Sequence, residues 1–152
     1  MIVTTNEAHL HAIAAARAAD DKSGHEIMVL DVGDIISIVE AFVIVSANNT
    51  RAVNAIVDNI ELVLWAEHDC KPRAYEGRDT STWVLLDYGD LIIHVFLDET
   101  RAYYDLERLW ADAGTIEWMS PERAALGARI AAGAGTFDGA ALGDEDEGVL
   151  DR

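Results

Sequence analysis

The chain has 152 residues, 51% of them hydrophobic, which suits one domain with a substantial core. Its 28 acidic residues outnumber 11 basic ones for a formal net charge of -17, a field that repels nucleic-acid backbones and anionic membranes and suits a basic protein surface. A single cysteine, Cys70, excludes an intramolecular disulfide and a Cys-x-x-Cys site, and without a basic N-terminal segment or an apolar run of about 20 residues the expected setting is cytoplasmic.

Thr4-Thr5-Asn6-Glu7 reads as a capping box opening a helix to about Ala19, with Leu10, Ile13 and Ala14 on its apolar side and Lys22-Ser23-Gly24 ending it. Residues 26–31 and 41–45 are short continuous apolar runs, the pattern of strands buried on both faces. Asn48 or Asn49 caps the next helix, which carries Val53, Ile56, Val57, Ile60, Val63 and Leu64 at helical spacing as far as about His68. A strand over residues 72–76 follows.

Residues 83–87 and 91–96 flank Tyr88-Gly89 and predict a β-hairpin. A two-residue loop pairs Asp87 with Asp90, Leu85 with Ile92 and Trp83 with His94. One face then carries Val84, Leu86, Leu91, Ile93 and Val95 and must be core. The other carries Trp83, Leu85, Asp87, Asp90, Ile92, His94 and Phe96, so its turn end should meet solvent or a partner. Asp87 and Asp90 side by side call for a nearby cation. Asp98 or Thr100 starts a closing helix towards Trp110, with Tyr104 and Trp110 in the core beneath it. The domain is expected over residues 1–114. The tail, 115–152, is rich in Ala and Gly and holds 8 acidic and 3 basic residues. It is expected to form a short helix from Ser120-Pro121-Glu122 to about Ala131, and its composition beyond that suggests disorder.

Catalytic motifs are absent. Gly-x-x-x-x-Gly-Lys, Gly-x-Gly-x-x-Gly, His-Glu-x-x-His and Gly-x-Ser-x-Gly do not occur. Asp87, Asp90 and His94 are the nearest approach to a metal site, with turn residues and a packed histidine beside Trp83 as the plainer account. His68-Asp69-Cys70 reads as a helix end, and Arg51 as a surface residue after a helix start. The aromatics say more: Trp83, Tyr88, Tyr103, Tyr104 and Trp110 lie close together among carboxylates, the composition of an interface centre.

Trp83-Val84-Leu85-Leu86-Asp87-Tyr88-Gly89-Asp90, Ile92-Ile93-His94-Val95-Phe96 and the run from Arg101 to Ala113 resemble the ribosomal silencing factor family, RsfS/Iojap. Leu30-Asp31-Val32, Phe42-Val43-Ile44, Arg51 and Tyr75-Glu76-Gly77 fall where the family has similar residues, so the likeness spans about residues 4–113. The turn Ala47-Asn48-Asn49-Thr50 departs from the family's Gly/Ser-rich pattern, and some members carry Leu in place of Tyr88.

The resemblance implies an α/β fold, a mixed sheet flanked by helices and nucleotidyltransferase-like, without catalytic residues, metal or cofactor. It also implies binding to the large-subunit ribosomal protein numbered fourteen, which blocks subunit joining when nutrients are short. The residues matching Trp83 and Tyr88 would contact that protein, with Asp87, Asp90 and Glu76 as the acidic rim. A metal-dependent nucleotidyltransferase and an acidic homodimeric adaptor remain the alternatives.

Overall fold

The computed structural model describes residues 6–136. Asn6 caps the first helix, α1 (Glu7–Asp20): its Oδ1 accepts from the amides of Ala8 (2.8 Å) and His9 (3.4 Å). The expected cap residue Thr4 lies outside the described residues. The buried side of α1 is Ala8, Ala12, Ala15, Ala16, Ala18 and Ala19; of the expected apolar side, Ala14 packs partly buried against the core, whereas Leu10 is 43% exposed, which corrects that part of the expectation. Small side chains let this backbone lie close to its neighbours, so burial here does not follow the largest residues.

The strand β1 (His25–Asp31) has only Val29 and Leu30 buried, not the whole run. Its register slips between His25 and Met28, where Glu26 adopts φ 49°, as at a bulge. The strand β2 (Ala41–Ala47) is buried at every position, as its continuous apolar run requires. Asn49 Oδ1 accepts from the Ala52 amide (2.8 Å) and starts α2 (Thr50–His68), whose buried positions Val53, Ile56, Val57, Ile60 and Leu64 keep the predicted spacing.

An exposed short strand, β3 (Ala74–Glu76), leads into the hairpin of β4 (Trp83–Asp87) and β5 (Leu91–Leu97). The expected single closing helix is two pieces, α3 (Asp98–Tyr104) and α4 (Leu106–Leu109), because Asp105 takes a left-handed conformation (φ 51°) between them. β6 (Gly114–Thr115) then pairs with β1. The chain divides into two compact units between Trp118 and Met119. The second contains α5 (Pro121–Thr136), opened by Ser120 Oγ accepting from the Arg123 amide (3.2 Å) and running past the expected end at Ala131. The predicted disorder from residue 137 onward lies outside the described residues.

The strands form one mixed sheet in the order β3-β4-β5-β2-β1-β6, with β2 and β5 parallel and the other pairs antiparallel. One face carries Val43, Val45, Val84, Leu86, Ile93 and Val95 against the alanines of α1 and the apolar side of α2. On the other face Phe42, Ile44 and Phe96 join Leu30, Val32 and Val39, with Trp83, Ile92 and Trp110 at the margin. No helix is long enough and apolar enough to cross a membrane among the described residues.

Candidate interaction surface

The hairpin pairs Trp83 with Phe96, Leu85 with His94 and Asp87 with Ile92. The Tyr88 amide donates to the Leu91 carbonyl (2.8 Å), so the loop is Gly89-Asp90, and Gly89 supplies the positive φ (93°). This corrects the expected Tyr88-Gly89 loop by one residue and every cross-strand partner by two. Two is the side-chain period of a strand, so the faces survive the correction. Val84, Leu86, Leu91, Ile93 and Val95 are all 0% exposed.

Tyr88 is what moves. It becomes the end of the strand, on the same side as Val84 and Leu86, and packs partly buried against the helix-covered core. Its hydroxyl is buried with no hydrogen-bond partner among the described residues. Burial raises the phenol's pKa, and Glu61 and Cys70 add to the rise. Parity along residues 84, 86 and 88 carried this signal.

Asp87, Tyr88 and Asp90 share an open groove at the turn with Arg73, Ile38 and Ile92. Ile38 is 78% exposed. Asp87 Oδ1 accepts from the Gly89 amide (2.7 Å) across the turn. The Asp90 carbonyl accepts from the amides of Glu40 (2.8 Å) and Ala41 (3.2 Å), tying the turn to the chain entering β2. Arg73 lies beside the turn: its amide donates to the Asp87 carbonyl (2.7 Å) and its guanidinium lies against Gly89, but it forms no ion pair with either carboxylate among the described residues. Glu76 stands apart, exposed on β3 opposite Leu85.

Trp83 lies at the far end of β4 and on the opposite face of the sheet from Tyr88. Its indole stacks on Phe96 (4.8 Å between centroids) and meets Tyr104 (4.7 Å). Its Nε1–H donates to His94 Nδ1 (3.1 Å). Phe42 stands edge-on to both His94 (5.2 Å) and Trp110 (5.1 Å). Burial without a compensating charge pushes the His94 pKa down to about 4. Trp110 packs against this cluster as expected, whereas Tyr104 is 49% exposed beside Tyr103, at 81%. The structure thus gathers Asp87, Tyr88 and Asp90 at the turn and sets Trp83 among exposed tyrosines.

Among the described residues, no group of three or more His, Cys, Asp or Glu side chains is placed to hold a metal ion, so Asp87, Asp90 and His94 are not assembled as one. Cys70 Sγ lies 3.6 Å from His11 Nδ1, and the His11 ring meets His68 edge-on. Burial raises the Cys70 thiol and lowers His11, and the neighbouring His68 lowers His11 further, which favours a neutral pair over a reactive thiolate. Sequence reasoning missed the structural role of Arg101. This buried residue donates to Glu107 and Ser46 and to the Glu26 carbonyl, fixing α3 to the ends of β1 and β2.

A mixed sheet with helices packed on one face and an aromatic second face, partly open at its margin, defines an α/β domain. The chain belongs to the family described as ribosomal silencing factor during starvation, RsfS, whose model matches residues 5–136. That match extends beyond the likeness expected over residues 4–113. The ribosomal silencing factor RsfS of Halalkalibacterium halodurans is 38% identical over 103 residues, 68% of this chain and 87% of that protein. The mouse protein named mitochondrial assembly of ribosomal large subunit protein 1 is 33% identical over 92 residues, 59% of this chain and 40% of its own length. A crystal structure of a Chromobacterium violaceum protein superimposes with a TM-score of 0.66 at 30% identity, covering 70% of this chain and 88% of that one.

Proposed function

We propose that this protein is a cytoplasmic translational repressor that binds the large ribosomal subunit through the ribosomal protein numbered fourteen. By occupying that surface it blocks joining of the small subunit when nutrients are short. The observation that carries this reading is membership of the silencing-factor family, together with an aromatic and acidic hairpin open to a partner. Domain 1–114 performs the function and needs no catalysis, because steric exclusion is sufficient.

Trp83 supplies apolar area, worth roughly 1.5–3 kcal/mol when buried by the partner. Asp87, Asp90 and Glu76 face a basic ribosomal surface at the rim, each contributing about 1 kcal/mol or less. Tyr88, its ring packed against the helix-covered core, holds the turn that presents Asp87 and Asp90 to the partner. A chain of net charge -17 reaches such a surface faster than a neutral one.

Sucrose-gradient sedimentation with separated subunits tests the reading. The chain is expected to travel with large subunits and to reduce subunit joining. Trp83→Ala, and Asp90→Lys at the exposed turn, should each weaken co-sedimentation with the fold retained. A chain that travels with neither subunit would refute the proposal.

A further inference from the structure

Trp83, half-buried on the hairpin, has its polar atom fixed by another side chain. Its Nε1–H donates to His94 Nδ1 at 3.1 Å, while Phe96 and Tyr104 hold the indole by ring contact. His94 is 6% exposed and lies in the sheet between Phe42 and Phe96, opposite Leu85 on β4 and Ile44 on β2. We propose that His94 is a positioning residue for partner binding: its bare Nδ1 fixes the rotation of the Trp83 indole, so that the ring is already oriented when the partner arrives. This deepens the reading of Trp83 as a partner contact and rests on it.

The chemistry assigns the tautomer. An Nδ1 that accepts from the indole carries no proton, so the neutral ring holds its proton on Nε2. Nε2 is buried and has no hydrogen-bond partner among the described residues. A histidine therefore leaves one polar atom unsatisfied here, which phenylalanine would not, and burying such an atom is unfavourable. Packing alone does not account for this residue; the indole hydrogen bond does. Without that bond the Trp83 ring keeps its stacking partners but gains rotational freedom about its side-chain torsions. Binding then has to order it, which lowers affinity with no contact to the partner removed.

The test uses the full chain and isolated large ribosomal subunits. In the wild type, an NMR coupling between Trp83 Nε1 and His94 Nδ1 across the hydrogen bond should be present, and the His94 nitrogens should report the Nε2–H tautomer. His94→Phe keeps a ring of similar size without the acceptor. It should shift the Trp83 indole resonance, speed its hydrogen exchange and weaken subunit binding by roughly fivefold to tenfold. His94→Asn places an amide oxygen near the lost Nδ1 and should recover part of both signals.

If the wild type shows no coupling, or the Nδ1–H tautomer, the proposal is wrong whatever the affinities. A His94→Phe protein with a mobile indole and unchanged affinity also overturns it. If Trp83→Ala binds as tightly as wild type, the contact reading of Trp83 fails and takes this proposal with it; the coupling then shows that the bond exists for packing alone. Should His94→Phe not fold, His94→Asn decides: slow indole exchange with near-wild-type affinity supports the proposal, and a fast-exchanging indole with full affinity overturns it.

Discussion

Arg101 and Glu107 are joined twice across the break between α3 and α4: Arg101 Nε and Nη2 each lie 2.7 Å from Glu107 Oε2. Arg101 Nη1 donates to the Glu26 carbonyl (2.6 Å) and to Ser46 Oγ (2.8 Å). One guanidinium thus satisfies a bulged strand, the end of β2 and the second short helix. The left-handed turn at Asp105 brings Glu107 back to it, which a continuous helix over the same residues would not.

Removing Glu107 leaves the 5%-exposed Arg101 cation without its counter-charge. Glu107→Ala is expected to destabilise the fold by about 3 kcal/mol. Arg78 pairs with Asp58 (2.8 Å) and Glu61 (3.3 Å) at a more exposed site, so Arg78→Ala should cost about 1 kcal/mol or less. Urea denaturation of both variants checks the contrast. Equal losses would show that the buried pair has no special role.

Gly77 and Gly89 both adopt positive φ, 87° and 93°, yet they should differ as alanine. A Cβ on Gly77 would overlap the Trp83 carbonyl oxygen, a backbone atom at the start of β4 that cannot swing aside. A Cβ on Gly89 would meet the movable guanidinium end of Arg73 at 2.9 Å. Gly89→Ala is expected to cost about 1–2 kcal/mol, the left-handed penalty alone. Gly77→Ala should cost clearly more and weaken the pairing of β3 with β4, read as faster amide exchange at Tyr75 and Glu76.

Much of the fold was legible because two periods are robust. The β2 run and the apolar stripe of α2 name their own burial, and the hairpin faces tolerated a turn misplaced by one residue. The same slip hid Tyr88, whose side of the strand depends on whether it belongs to the loop. The buried face of α1 was illegible because alanine marks close approach, a tertiary property. The break at Asp105 was illegible too, since what stabilises it is a contact between Arg101 and a residue six positions on. At the candidate site, composition singles out Asp87, Asp90 and Trp83 but not how they are arranged. That Arg73 shares the groove of Asp87 and Asp90 while Trp83 sits on the other face follows only from the register.

His94 makes stability depend on pH. Its folded pKa is about 4 against an ordinary 6.5, because burial disfavours the charged ring. Above the ordinary value neither state carries the proton and this residue adds no pH dependence. As pH falls towards the folded value, the unfolded chain takes up a proton that the native chain refuses. Stability should therefore decline through that window by about 3 kcal/mol from this group, and level off for it below. Denaturation midpoints of the wild type and His94→Asn at neutral and mildly acidic pH check this. The variant should show the shallower decline.

The N-caps should cost similar amounts for one shared reason. Asn49→Ala removes the side-chain acceptor for the Ala52 amide (2.8 Å) at the start of α2. Asn6→Ala removes the acceptor for Ala8 and His9, and with it the Asn6 Nδ2 bond to Glu40 Oε1 (3.2 Å). Each is expected to lower stability by about 1 kcal/mol, with Asn6 the larger because its side chain also ties α1 to the segment before β2. Thermal melts of the two single variants distinguish them.

Tyr88 separates ring from hydroxyl. The ring packs against the helix-covered core, but the buried oxygen has no hydrogen-bond partner among the described residues. Tyr88→Phe removes an unsatisfied group and keeps the volume, so stability should be unchanged or rise by about 1 kcal/mol. Tyr88→Ala empties the ring's space and should cost about 3 kcal/mol or more. The hydroxyl lies inside the protein, so Tyr88→Phe is also expected to bind large subunits within about twofold of wild type, a small change on the free-energy scale. A loss of binding by Tyr88→Phe at full stability would mean that the hydroxyl turns outward to the partner, and that the turn rearranges when the complex forms.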